Sequence, residues 1–230
     1  MIAVLVNAAV VILGGLLGML LGKRLKTEYT KTIIAALGIC TMVIGITGAI
    51  GTSNILVAIV CLVVGTLVGE LLKLEARLDG AGDWLKVKVA KNGNSRFTEG
   101  FVTASLLFCV GSMSIMGSFD AGLRGNYNTI FAKSVMDGIM ALTFGATMGA
   151  GVLFSAVTIL VYQGALTLLA GVMEPLLAPQ VITEMSAVGG VMLIATGINI
   201  LSLGKERIKV GNMLPALIFP AVWFAIAGLF

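Results

Sequence analysis

Residues 108–117 read FCVGSMSIMG, and residues 133–138 read KSVMDG. These segments belong to two apolar runs that flank a short polar loop, and the second run contains Asp137. A charged side chain at the centre of a bilayer costs about 2.5–3.5 kcal/mol on insertion scales, so such residues usually face the protein interior and often have a function. Asp137 is therefore the residue whose placement within a bilayer costs the most free energy.

The composition indicates a membrane protein. Of the 230 residues, 58% are hydrophobic and 11% are charged, whereas a soluble domain has about a quarter charged residues. The 30 glycines agree, because small residues let transmembrane helices approach closely. The net charge is +4, but the basic residues lie between apolar runs. We therefore expect a lipid bilayer as the surroundings and no nucleic-acid partner.

Enzyme and metal-site patterns are missing from the sequence. Its three cysteines, Cys40, Cys61 and Cys109, lie far apart inside apolar runs, so neither a disulfide framework nor a Cys-x-x-Cys site is expected. Histidine is absent, which removes the commonest catalytic base and metal ligand. No nucleotide-binding glycine loop and no His-Glu-x-x-His motif occur. We expect no cofactor, no bound metal and no enzyme activity.

A helix needs about 20 apolar residues to cross a bilayer. The sequence therefore predicts an all-α polytopic integral membrane protein with about eight transmembrane helices, which form one transmembrane domain over residues 1–230. The first run has no basic region before it, so we expect a spanning helix and not a cleaved signal. The predicted spans are 2–21, 32–51, 54–73, 99–117, 129–148, 151–172, 184–203 and 211–229.

The distribution of basic residues sets the orientation. With eight spans, 13 of the 15 basic residues fall on one side, which leaves Arg124 and Lys133 for the other. The positive-inside rule then places both termini outside and the loop 74–98 in the cytoplasm. That loop is interpreted either as a basic solvated connector or as a segment lying on the anionic inner leaflet.

Three Gly-x-x-x-Gly motifs recur in spans one, three and five. They begin at Gly14, Gly65 and Gly145. Two explanations stay open, internal duplication of helix units as in many transporters, or the general frequency of this motif in membrane proteins. Glycine-rich helix faces of this kind could also form a homo-oligomer.

Asp137 borders a face of small residues in span five, so it is expected to point toward neighbouring helices. Lys133 lies one helical turn away and can reach Asp137 or extend toward the membrane surface. One hypothesis is a pair that only neutralises itself. The other is a carboxylate that binds or couples a solute.

Other polar residues fall at a similar depth when each residue is counted as 1.5 Å of helix. A single polar residue within a span is explained by an interhelical hydrogen bond, but several polar residues at one depth favour a polar cavity. Residues 111–117 are typical either of a broken helix that lines such a cavity or of a tightly packed intact helix. The candidate binding residues are Asp137, Lys133, Asn7, Gln163, Ser112 and Ser114.

Four segments together resemble a known family. They read FCVGSM at 108–113, KSVMDG at 133–138, YQG at 162–164 and NMLPA at 212–216. In this order they resemble the YdfK/YqgA-like bacterial membrane proteins, a family of unknown function, and the resemblance covers essentially the whole chain. It implies a multi-span protein of the bacterial inner membrane and a transporter, but it implies no substrate.

Three functions are compatible with these patterns. The first is a secondary transporter for a small solute or ion, with Asp137 as the binding or coupling carboxylate and with neutral ligands from its neighbours. The second is a channel, which needs a continuous polar path. The third is a membrane scaffold or subunit whose glycine faces bind partner helices, and it needs no deep carboxylate.

The predicted orientation can be tested with reporter fusions. A reporter placed after Phe230 should read as external, and reporters in the loops at Ser95 and Arg207 should read as cytoplasmic, because the basic loops stay inside. The measurement is the activity of compartment-specific reporters in cells. A cytoplasmic carboxyl terminus together with an external amino terminus would rule out eight crossings.

Overall fold

The computed structural model describes residues 1–22, 26–77, 79–80, 96–110, 112–173 and 178–227, without the side chains of residues 27, 110, 112, 173 and 227. All regular structure in these ranges is helical. The α-helices are α1 (Ile2–Gly22), α2 (Thr27–Ile50), α3 (Ile55–Leu72), α4 (Phe97–Val110), α5 (Ser112–Leu123), α6 (Asn128–Met148), α7 (Gly151–Leu168), α8 (Pro179–Leu201) and α9 (Phe219–Ala227). A short helix, Ala170–Met173, follows α7, and a 3-10 segment, Val210–Leu217, precedes α9.

The prediction of an all-α membrane protein is confirmed. Within the described ranges, five helices are long and apolar enough to cross a membrane, namely α1, the Glu28–Ile50 part of α2, α3, α7 and α8. A sixth crossing is obtained if α4 and α5 form one bent span. Helix α6 and the segment from Val210 also lie where spans were predicted, so the number of eight crossings stays a prediction.

Several predicted boundaries were wrong. Helices α2 and α8 begin at Thr27 and Pro179, five residues before the predicted spans. Pro179 fits the first turn of α8, because a proline has no N–H group to leave unpaired there. The last span starts as a 3-10 helix, with Pro215 inside it. The middle of the 74–98 loop, residues 81–95, and the carboxyl terminus, residues 228–230, lie outside the described residues.

The backbone forms two compact units. The first comprises Met1–Ala36, Asp79–Cys109 and Met113–Gly171, and the second comprises Leu37–Leu78, Val110–Ser112 and Val172–Phe230. Helix α2 therefore begins in one unit and continues in the other. The single transmembrane domain stays a prediction, and each unit is described separately below.

In the first unit, α1 packs along α6 through glycine. A Cβ atom on Gly14, Gly18 or Gly22 would collide with a backbone carbonyl of α6. In the other direction, a Cβ atom on Gly145 would lie 2.5 Å from the carbonyl oxygen of Gly15. The glycine motifs of spans one and five thus face each other. Small residues in both helices allow their backbones to touch.

Helices α4 and α5 correspond to one predicted span but form two helices. The axes of residues 97–109 and 113–123 differ in direction by 58°. Gly111, between them, lies outside the described residues. The break agrees with the interpretation of residues 111–117 as a broken helix. A hydrogen bond of 2.9 Å between the Ser105 and Thr158 hydroxyls joins α4 to α7.

In the second unit, α3 packs against the 3-10 segment. A Cβ atom on Gly65 would collide with Ala216, and one on Gly69 would collide with the carbonyl group of Asn212. Asn54 caps α3 by accepting a hydrogen bond of 3.1 Å from the Leu56 N–H. The NMLPA segment therefore packs directly against the Gly-x-x-x-Gly motif of span three.

Replacing Gly145 with alanine should destabilise the protein by about 1–3 kcal/mol, because the added methyl group meets backbone atoms that have no room to move. Gly171 is a matched control in the same unit, since nothing lies within 4 Å of the position of its Cβ atom. Gly171→Ala should change stability by less than about 0.5 kcal/mol. Unfolding of both variants in detergent measures the difference, and equal losses would contradict a tight α1–α6 contact.

Candidate functional site

A cluster of buried polar side chains lies inside the first unit. Four helices contribute to it, because Asn7 is on α1, Ser114 on α5, Lys133 and Asp137 on α6, and Gln163 on α7. Each of these side chains belongs to a residue that is at most 5% exposed. Asp137 lies about 14 Å along α6 from its first residue, so the cluster is far from the helix end. We call these five residues the Asp137 cluster.

Hydrogen bonds connect the cluster into one network. The amide nitrogen of Asn7 donates to Oδ2 of Asp137 and to Oε1 of Gln163, with both distances 3.1 Å. The amide nitrogen of Gln163 donates to Oγ of Ser114 at 2.9 Å. The Lys133 ammonium group binds Oδ2 of Asp137 directly. A single carboxylate oxygen thus receives donors from two helices.

The orientation of the Asn7 amide is set by its neighbours. Its nitrogen faces two acceptors, the Asp137 carboxylate and the Gln163 carbonyl. A rotated amide would place an oxygen against both acceptors, which is repulsive. The Oδ1 atom of Asn7 is buried and has no hydrogen-bond donor among the described residues. A buried carbonyl oxygen left in this state costs free energy unless a donor or a cation reaches it.

The Lys133 ammonium group has an aromatic neighbour besides its carboxylate. The Nζ atom lies 5.8 Å from the centre of the Phe108 ring, within the range of a cation–π contact. Phe108 on α4 is fully buried. One cation and one anion make the cluster neutral, which lowers the cost of burying both.

Local sequence spacing explains how the cluster forms. Lys133 and Asp137 are four residues apart, so they share one face of α6. Asn7 lies seven residues before Gly14, which puts it on the face of α1 that contacts α6. The close glycine contact then brings the short Asn7 side chain to the carboxylate. Backbone packing and polar bonding therefore depend on the same helix face.

Five of the six predicted binding residues are brought together. Asn7, Ser114, Lys133, Asp137 and Gln163 share one network. The side chain of the sixth, Ser112, lies outside the described residues. Binding of a solute by the cluster stays a prediction.

Glu184 in the second unit was missed as a buried acidic residue. It is 1% exposed and accepts three hydrogen bonds from the loop before α3. Its Oε2 accepts from the Thr52 hydroxyl at 2.6 Å, and its Oε1 accepts from the Ser53 and Asn54 N–H groups at 2.7 and 3.0 Å. The predicted span started at Glu184 and so placed it at the membrane surface. Pro179 was the signal for an earlier helix start.

A second network in the same unit was also missed. The side-chain oxygen of Asn212 accepts from the Glu75 N–H at 2.7 Å, and Oε2 of Glu75 accepts from the Gly211 N–H at 2.5 Å. Arg207 approaches Oε1 of Glu75 at 3.7 Å. These bonds anchor the start of the 3-10 segment. The hydrogen bond to Glu75 therefore gives Asn212 of the NMLPA segment a structural role that requires no bound ligand.

The described residues contain no group of three or more His, Cys, Asp or Glu side chains that could hold a metal ion. Asp137 is the one acidic residue of its cluster. Besides this carboxylate, the atoms of the cluster that could bind a ligand are amide and hydroxyl oxygens, and one lysine is present. This set suits hydrogen-bonding solutes or weakly coordinated ions better than a tightly held divalent metal.

The sequence matches the model of a protein family over residues 2–225, and this family is described as a protein of unknown function, DUF554. The chain belongs to the DUF554 family. The family description assigns no substrate.

Two related proteins match over almost their whole length. The uncharacterized membrane protein YdfK of Bacillus subtilis is 32% identical over 228 residues, which cover 96% of this chain and 95% of the relative. The uncharacterized protein YqgA of Escherichia coli is 30% identical over 231 residues, which cover 96% and 97%. No solved structure matches the chain. These matches confirm the resemblance to YdfK/YqgA-like proteins, and the membrane assignment agrees with the description of YdfK.

Charge substitutions should reveal the pairing of Lys133 with Asp137. Lys133→Met should destabilise the protein by about 3–5 kcal/mol, because it leaves a buried carboxylate without its cation. Asp137→Asn should cost less, because the long Lys133 side chain can extend toward the nearer end of α6. The double variant Lys133→Met with Asp137→Leu should recover most of the stability. The free energies of unfolding of the wild type, the two single variants and the double variant in detergent give a double-mutant cycle. If the double variant loses as much stability as the two single variants together, the pair is not coupled.

Proposed function

We propose that this DUF554 protein is a secondary transporter that moves a small solute or ion across the bacterial inner membrane. The Asp137 cluster is its binding site, and Asp137 is the binding or coupling carboxylate. In this proposal the protein carries out no chemical step. Both termini are external, and the basic loops are cytoplasmic.

The observation that carries this proposal is the Asp137 cluster itself. Polar side chains from four helices form one hydrogen-bonded network that includes a carboxylate far from the ends of α6. A pair that only neutralises itself needs Lys133 and Asp137 but not the three neutral partners. The unsatisfied oxygen of Asn7 supports a site that receives a further group. Intramembrane ionisable residues in such settings commonly mark solute or ion pathways.

The helix break next to the cluster supports the same proposal. Ser114 lies in the first turn of α5, immediately after the 58° bend. Transporters commonly place their sites at discontinuous helices near the middle of the membrane, where irregular backbone lines a cavity. A channel is disfavoured because all five residues of the cluster are buried and two of them form an ion pair, so they do not line an open path. A scaffold requires neither the bend nor the buried carboxylate.

Purified protein in liposomes tests the proposal. The probes are radiolabelled sodium, rubidium and chloride ions and a mixed pool of labelled amino acids. At least one probe should enter faster than it enters empty liposomes, with saturation and with acceleration by unlabelled probe inside. Saturation and exchange identify a carrier, because a channel conducts without them.

Matched variants connect the transport to the cluster. Asp137→Asn should remain folded and reduce uptake to the level of empty liposomes, because its carboxylate is lost. Asp120→Asn is the control, since Asp120 lies in the same unit and pairs with the exposed Arg124 at 3.3 Å. It should transport normally. Uptake equal to that of empty liposomes for every probe would refute the proposal and favour a scaffold.

A further inference from the structure

We propose that the Asp137 cluster binds a small monovalent cation, which takes the place of the Lys133 ammonium group on the carboxylate. This inference rests on the proposed function, because it assigns a ligand class to the same site. When no external cation is bound, Lys133 neutralises Asp137 through the ion pair described above. The ligand class comprises alkali-metal ions and ammonium.

The donor atoms of the cluster suit a cation. The Oδ1 atom of Asn7 is buried without a donor, and it belongs to the amide whose nitrogen already contacts Asp137. The carbonyl oxygen of Gln163 faces the same amide. The Asp137 carboxylate supplies the negative charge that attracts a cation, and the buried Asn7 oxygen is a free acceptor on a neighbouring side chain. The amide and ammonium donors of the cluster are already bound to acceptors within it, so they are not available to an anion. Lys133 supplies positive charge, but Asp137 already neutralises it.

The charge of the site selects a monovalent ion. Asp137 is the one carboxylate of the cluster, and the described residues contain no acidic or cysteine cluster for a metal. Calcium takes six to eight oxygen ligands and gains affinity with added carboxylates, and magnesium releases its water reluctantly. A cation of charge +1 keeps the site neutral when the ammonium group leaves.

Lys133 has a place to go when the cation binds. It lies about 8 Å along α6 from Asn128, so its flexible stem can carry the ammonium group toward the helix end. The tethered ammonium group competes with the external cation, and this competition lowers the apparent affinity of the wild-type protein.

Thermal unfolding of the full-length protein in detergent tests this exchange. The probes are sodium, potassium and ammonium chloride, with choline chloride at equal ionic strength as the control. Lys133→Met should unfold at a lower temperature than wild type in choline. A bound cation should then raise its unfolding temperature by about 5–10 °C at about 100 times the dissociation constant. Lys133→Gln, which keeps a neutral donor, serves as the second variant if Lys133→Met does not fold.

Two controls separate site binding from a general salt effect. Wild type should respond in the same direction but only at higher cation concentration, because Lys133 must first be displaced. Asp137→Asn and the double variant Lys133→Met with Asp137→Leu should show no difference between the cations and choline. If choline stabilises the lysine variants as much as sodium, potassium and ammonium do, the inference is overturned.

Failure of this inference differs from failure of the proposed function. If liposomes carry a probe in a way that requires Asp137 while the cations stabilise no variant, the transporter stands and the cation assignment is overturned. If the cations stabilise Lys133→Met selectively but no probe enters liposomes, the cation site is supported and the transporter is refuted. A response that persists in Asp137→Asn would place the binding elsewhere and overturn the inference.

Discussion

The backbone contact between α1 and α6 is the constraint on which the first unit depends. Helices within lipid gain little by burying apolar side chains, so they associate through close packing and polar bonds. This contact uses both, since glycines bring the backbones together and Asn7 then reaches Asp137. A larger residue at Gly14 would therefore disturb packing and the polar cluster together.

The two deeply buried carboxylates described in this chain are stabilised differently. Asp137 is held by a lysine of its own helix and an amide of another. Glu184 is held by one hydroxyl and two backbone N–H groups of a loop. The proposed cation exchange requires that Lys133 can leave the carboxylate, and its long side chain can move without the backbone. The backbone donors to Glu184 cannot move away independently. The proposed binding role therefore belongs to Asp137, whereas Glu184 fixes the loop before α3.

The sequence predicted the helical class and most members of the cluster, because depth along a helix follows from counting residues. It could not predict the bond between Asn7 and Gln163, which depends on the rotation of α1 and α7 about their axes. Glu184 was misplaced because hydropathy marks where lipid begins, whereas the helix starts at Pro179. The 3-10 start of the last segment depends on its tertiary fit against Gly65 and Gly69.

The position of Lys133 and Asp137 on one helix also matters for how the chain enters the membrane. Because the cation lies one turn from the anion, α6 is already close to neutral before α1 contributes its amide. Residues 149–150 join α6 to α7 by a tight turn, with Gly149 at a φ of 82°. In the predicted eight-span topology, α6 and α7 would enter the membrane as one hairpin, in which the more apolar α7 accompanies a helix that carries its own counter-ion.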